Sequence, residues 1–186
     1  MQENQTYLNQ DLSGENYRPD RYEDCTFDRC DFSDAYLSDS EFIDCNFLEC
    51  NLSNIKIEQT AFKNVVFKKC KIIGVNFNDC NPFLLRLSFT DCLLNFSSFH
   101  KLKLPNIVFD TCFLHEVNFS QTDLKGAIFK SCDLNRALFE YTSLEKADFR
   151  TSVNYSIDPE INRLKKAQFS VSAVAGLLDK YEIEIS

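Results

Sequence analysis

A large apolar residue stands on every fifth position from Leu12 to Phe77, and again, after a slip of two residues, from Leu84 to Phe149. The first run passes through Tyr17, Tyr22, Phe27, Phe32 and Leu37; the second alternates Leu and Phe throughout. In a chain with 44% hydrophobic residues, twenty-eight consecutive hits would arise by chance on the order of once in 10^10 trials. Two residues before most beats stands a smaller side chain, such as Cys30, Ala35, Cys45, Thr60, Val117 or Ala147. Each unit therefore offers one small and one large residue to an interior. A period of five matches neither the 3.6 of an amphipathic helix nor the 2 of a half-buried strand. It is the mark of a solenoid, whose units bury their apolar side only by stacking on their neighbours.

The stretches Cys30-Asp31-Phe32-Ser33-Asp34, Cys45-Asn46-Phe47-Leu48-Glu49, Val117-Asn118-Phe119-Ser120-Gln121 and Ala147-Asp148-Phe149-Arg150-Thr151 share one plan. A small residue, Asp or Asn, Phe or Leu, and two further residues make up that unit, and it resembles the repeat of the pentapeptide repeat proteins. The resemblance covers about residues 7 to 151. It implies an all-β solenoid, a right-handed quadrilateral β-helix with four units per coil, and hence about seven coils. At roughly 4.8 Å per coil the rod would be about 34 Å long.

The repeat assigns residues 1–151 to the β-helix and 152–186 to a C-terminal segment. Within the helix, residues 1–20 form a loose first coil, because Gln10, Glu15 and Asp20 occupy inward sites and are tolerable only where water reaches them. A bulge is expected near 79–84, where Pro82 cannot donate to a ladder. Beyond Asp158-Pro159, Ser170 reads as an N-cap, and Val171, Val174, Ala175 and Leu178 follow the spacing of an α-helix face. Ile183 and Ile185 then alternate with Glu182 and Glu184, as in a short strand. In the quinolone-resistance and microcin-immunity branch that this end resembles, the C-terminal helix caps the rod and joins two chains tail to tail. The resemblance thus implies a homodimer through Val174, Leu177, Leu178, Ile183 and Ile185, with a simple monomeric cap as the alternative.

Charge and chemistry narrow the function. The formal net charge is −8, from 28 acidic and 20 basic residues, but residues 1–50 alone hold thirteen acidic and three basic residues. Since the inward sites are apolar, Asp28, Asp31, Asp34, Asp39 and Asp44 are expected to form an outward acidic face for a partner. Leu93, Phe96 and Phe113 fall on outward positions of one face, with Val108, Ile128 and Leu138 on others. Such an apolar patch is a second candidate partner site.

All nine cysteines, from Cys25 to Cys132, lie on the inward small-residue beat, where a thiol behaves as a compact hydrophobe. No Cys-x-x-Cys pair, Gly-rich phosphate loop, zinc motif or nucleophile elbow is present, and His100 and His115 have no partners at fixed spacing. We expect no enzyme activity, no cofactor and no metal. A pI near 4.8 argues against direct nucleic-acid binding, and no apolar run approaches a membrane span. The start of the chain lacks the basic and apolar regions of a signal peptide, so the chain reads as cytoplasmic. The family resemblance implies a DNA mimic that binds a bacterial type II topoisomerase such as gyrase. A protein-interaction scaffold with another partner is the alternative.

Overall fold

Two inward side chains per five residues leave room for only a short extended segment between turns, and the strands are accordingly two to four residues long. In the computed structural model, which describes residues 1–184, they are β1 (Gln2–Glu3), β2 (Thr6–Leu8), β3 (Arg21–Glu23), β4 (Thr26–Asp28), β5 (Glu41–Ile43), β6 (Asn46–Leu48), β7 (Ala61–Lys63), β8 (Val65–Lys68), β9 (Leu87–Thr90), β10 (Val108–Asp110) and β11 (Ile128–Lys130). They make a seven-stranded sheet, β2-β4-β6-β8-β9-β10-β11, and a four-stranded sheet, β1-β3-β5-β7. Every pairing is parallel. Partners lie one coil of twenty residues apart, as in Phe27 with Phe47 and Phe42 with Phe62, except between β8 and β9, where the coil has 22. The fold is therefore a parallel β-solenoid, and about six turns separate the first and last strands of its longer sheet.

Single bridges continue the stacking on the remaining sides. We call the seven-stranded sheet the first side. The second carries the bridges Asp31 to Asn51 and Leu93 to Phe113, and the third those of Ser98, Asn118 and Leu138. The fourth begins with β1-β3-β5-β7 and resumes as Lys103, Asp123, Ser143 and Arg163.

The interior is a set of vertical columns. Phe27, Phe47, Phe67, Phe89, Phe109, Phe129 and Phe149 stack with ring centroids 4.6 to 5.3 Å apart. Phe77, Phe99, Phe119 and Phe139 form a neighbouring column. Rings of the two columns meet edge to face, as Phe99 and Phe109 do at 78°. Each buried Phe contributes about 1.5 to 3 kcal/mol by leaving water, and each good aromatic contact about 0.5 to 1.5 more.

The small inward site has its own logic. A short donor there reaches the carbonyl 23 residues earlier: Cys50 to Phe27, Cys70 to Phe47, Thr122 to Phe99 and Ser152 to Phe129. Cysteine, threonine and serine are thus interchangeable by chemistry as well as size. All nine cysteines are free and buried, as their spacing predicts.

At most corners one residue takes a left-handed backbone, and among the described residues only three of these are glycines, Gly14, Gly74 and Gly126. Asn and Asp fill many of the others, including Asp24, Asp34, Asp44, Asn54 and Asn64, because their short polar side chains tolerate that conformation. The Asp or Asn before each central Phe or Leu acts differently, accepting the N–H two residues on. Examples are Asp31 from Ser33 (2.8 Å), Asn118 from Ser120 (2.9 Å) and Asp148 from Arg150 (3.0 Å).

Three expectations are corrected. First, Leu84 is not an inward beat. It is exposed with φ 58, while Leu85 packs against the core and Leu87 takes the next inward site. The two extra residues are extruded on the fourth side, where Arg86 rejoins the ladder by donating to the Phe62 carbonyl (3.1 Å). Second, the stacking does not stop at 151. Arg163 bridges to Ser143 and Gln168 to Asp148, and Phe169 stacks on Phe149 at 5.3 Å, so the repeat resumes after an irregular side at Asn154–Ile161.

Third, no C-terminal α-helix forms among the described residues. Val174–Leu177 and Asp179–Tyr181 are single 3-10 turns, held by bonds such as Gly176 N to Ala173 O and Tyr181 N to Leu178 O. Ser170 is not the cap: its Oγ accepts from the Ala173 N–H and closes a turn ahead of the first 3-10 element, whose N-cap is Ala173. Gly176 lies so close to Tyr155 that a Cβ would sit 2.0 Å from the Tyr155 carbonyl oxygen, and its own carbonyl accepts from Ile157 N. Docking on the end of the column has displaced the helix ladder. Ile183 is in no strand, and Ile185 lies outside the described residues.

Candidate interaction surface

With the interior filled, the outward residues carry whatever this rod does. The five aspartates expected on one face lie instead along a single coil that winds around the rod. Asp28 ends β4 on the first side, half-buried and ion-paired with Arg29 (3.1 Å). Asp31 lies on the second side, half-buried, accepting from Ser33 N and from Asn51 Nδ2 (3.1 Å). Asp34, Asp39 and Asp44 are exposed at three successive corners, all with left-handed backbones. The arrangement is an acidic belt. Asp31 and Asp44 also serve the fold, the latter accepting from Asn64 Nδ2 on the next coil.

Leu93 and Phe113 are bridge partners on adjacent coils, 38% and 45% exposed, and Phe96 projects from the neighbouring corner at 59% exposure. The Phe113 ring meets His115 edge to face at 5.7 Å. His115 Nε2 lies 2.9 Å from Asp133 Oδ2, one coil on. Partial burial pushes the Asp133 carboxyl up, but the hydrogen bond from Asn154 and the adjacent His115 ring outweigh it and hold the group below its ordinary value. Ile128 and Leu138 are exposed on the first and third sides and do not join the patch.

Of the expected dimer residues, Leu177 packs against the core, and Val174, Leu178 and Ile183 are exposed, with Leu178 and Ile183 lining one shallow concavity. Position-by-position reading missed the fourth side, where the ionisable residues are sorted by sign along the rod. Grouping the sequence by twenties would have found it. Among the described residues no set of three or more His, Cys, Asp and Glu side chains is arranged to hold a metal, and no helix is long and apolar enough to cross a membrane.

A model described as a pentapeptide repeat region matches residues 20–82 and 40–119, and one of eight pentapeptide repeats matches 112–150. The chain belongs to the pentapeptide repeat family. No curated protein matches it. Among solved structures, two trypsin-treated variants of QnrB1, a plasmid-mediated fluoroquinolone resistance protein, each align over 100% of this chain and 99% of theirs, with 16% identity and a TM-score of 0.58. HetL, a pentapeptide repeat protein involved in heterocyst differentiation regulation from the cyanobacterium Nostoc, aligns over 91% of this chain and 87% of its own, with 15% identity and a TM-score of 0.38. At 16% identity the likeness to QnrB1 shows a shared fold.

Proposed function

We propose that this chain acts without chemistry of its own, binding a bacterial type II topoisomerase where that enzyme holds DNA and shielding it from a quinolone or peptide poison. The observation that carries the reading is the acidic belt. Residues 1–50 have a net charge of −10 by residue count, spread over two and a half coils, or about 12 Å at roughly 4.8 Å per coil. Duplex DNA carries one charge per about 1.7 Å of axis, so the local densities are comparable. Like phosphates around a duplex, the carboxylates from Asp28 to Asp44 face outward in several directions. The fold is shared with a plasmid-mediated fluoroquinolone resistance protein, which supports a role in shielding against such a poison.

The test is binding of the intact chain to purified gyrase or topoisomerase IV at 50 and 300 mM salt. Affinity should fall as salt rises, because screening shortens the reach of exposed charges. Asp28, Asp31, Asp34, Asp39 and Asp44 changed together to Asn should weaken it at least tenfold with the fold intact, since Asn51 and Asn118 already fill the turn position of Asp31.

A second reading, an interaction scaffold for an unrelated protein, is supported by the Leu93, Phe96 and Phe113 patch. Under it, Phe96→Asp would abolish partner binding and the aspartate substitutions would not.

A further inference from the structure

We infer that the fourth side is a self-complementary surface that pairs two copies of this chain antiparallel, face to face. Its stacking levels follow from the ladder registers: Gln2, Tyr22, Phe42 and Phe62, then the bulge, then Leu104, Leu124, Leu144 and Leu164. The bulge is thus the fifth of nine levels.

On levels one to three, this side and its two edges carry seven carboxylates, among them Glu3, Asp24 and Asp44, against the single side-chain cation Arg21. On levels six to nine they carry seven cations, among them Lys103, Lys125, Lys146 and Arg163, against Asp123 and Glu145. None of those seven cations makes an ion pair among the described residues, whereas Lys130, Arg136 and Arg150 on the other sides are paired with Asp110, Glu116 and Asp148. One end of the face is negative and the other is an unpartnered positive surface.

A two-fold axis through level five lays level one of one copy on level nine of the other. Glu3 then faces Lys165, Asp24 faces Lys146 and Asp44 faces Lys125, each contact occurring twice. At the axis sits an apolar projection: Phe83 and Leu84, 66% and 64% exposed, beside Pro82 and Pro105. Polar outer contacts around a central apolar pair are the usual anatomy of an isologous interface. Eight steps of about 4.8 Å by a five-residue side of about 17 Å give roughly 650 Å² per copy, close to the about 800 Å² of a standard interface. Asp39 and Asp44 belong to both surfaces, but Asp24, Leu84 and Lys146 are outside the five aspartates of the proposed topoisomerase contact, so exchanges at those three residues test the pairing separately from that reading.

The test is analytical ultracentrifugation of the full chain at 1 to 100 μM in 50 and 500 mM salt. The expected result is a monomer–dimer equilibrium that stops at the dimer and weakens with salt. Lys146→Glu and Asp24→Lys should each weaken it about tenfold, and the two together in one chain should restore it to within about threefold, because each copy carries both halves of the contact. Leu84→Asp, at an exposed tip, should dissociate the dimer without lowering the melting temperature. A monomer throughout, open-ended polymers, no rescue by the double exchange, or a dimer lost only in Leu178→Asp would each overturn the inference, the last by placing the contact at the C-terminal turns.

Discussion

Phe67 stacks on Phe89 with ring centroids 5.2 Å apart and planes 10° from parallel, although 22 residues separate them. The stacking matches that of Phe47 on Phe67, at 5.0 Å, across an ordinary coil of twenty. The column has kept its spacing and the backbone has expelled the surplus. Removing Pro82 and Phe83 would leave Cys80-Asn81-Leu84-Leu85-Arg86, a regular unit with Leu84 on the inward beat. The deletion should therefore fold, with a melting temperature within about 4 °C of the parent, a shift of about 1 kcal/mol for a chain of this size. Loss of the cooperative transition would show that the bulge is needed for the coil to close.

Columns make the energetic weight of a residue depend on its side of the wall. Phe119 is fully buried between Phe99 and Phe139, at 5.3 and 5.2 Å. Phe119→Ala should cost about 3 to 5 kcal/mol in urea denaturation, since the rigid stack cannot collapse into the cavity. Phe96→Ala, at an exposed corner, should change stability by under about 0.5 kcal/mol. Equal effects at the two sites would contradict the assignment of inside and outside.

The inward donors make a separate forecast. Thr142 Oγ1 donates to the buried Phe119 carbonyl at 2.8 Å. Thr142→Val keeps the volume and removes the donor, so it should cost about 1 to 2 kcal/mol. Thr142→Ser, which retains the hydroxyl, should cost less, as Ser152 already makes the equivalent bond to Phe129.

Burial pushes the Cys45 thiol from 9.0 up to about 11, and burial with the Asp79 charge pushes Cys80 up to about 12. Both thiols are harder to ionise in the folded chain than in the unfolded one. Their contribution is present in full below pH 9 and is lost as pH rises through the folded values. Melting temperature should hold between pH 7 and about 8.5 and fall between pH 9 and 12, while the folded thiols stay unreactive to a disulfide reagent at pH 8. Rapid labelling of several thiols in the native protein at pH 8 would refute their burial.

Most of the rod is legible in the sequence because its interior obeys one rule at every unit. Phe27 through Phe149, the free cysteines and the Leu93–Phe113 pairing all follow from counting by five and by twenty. The count failed where tertiary contacts outweighed a local pattern. Leu84 satisfied the beat, but with Pro82 in the segment the chain seats Leu85 against the core instead. Val171, Val174 and Leu178 have helical spacing, yet Gly176 is drawn against Tyr155 and Ile157, and helix bonding gives way to docking. Asp28 to Asp44 look like one acidic face in a linear reading, and four-fold winding turns them into a belt.

The most direct test of the proposed function is gyrase supercoiling in the presence of an inhibitory fluoroquinolone, with the chain titrated to micromolar concentration at low salt. The account predicts that the parent protein restores supercoiling, and that the variant with Asp28, Asp31, Asp34, Asp39 and Asp44 changed to Asn needs at least ten times more protein for the same effect. No restoration by the parent, or equal restoration by parent and variant, would contradict it.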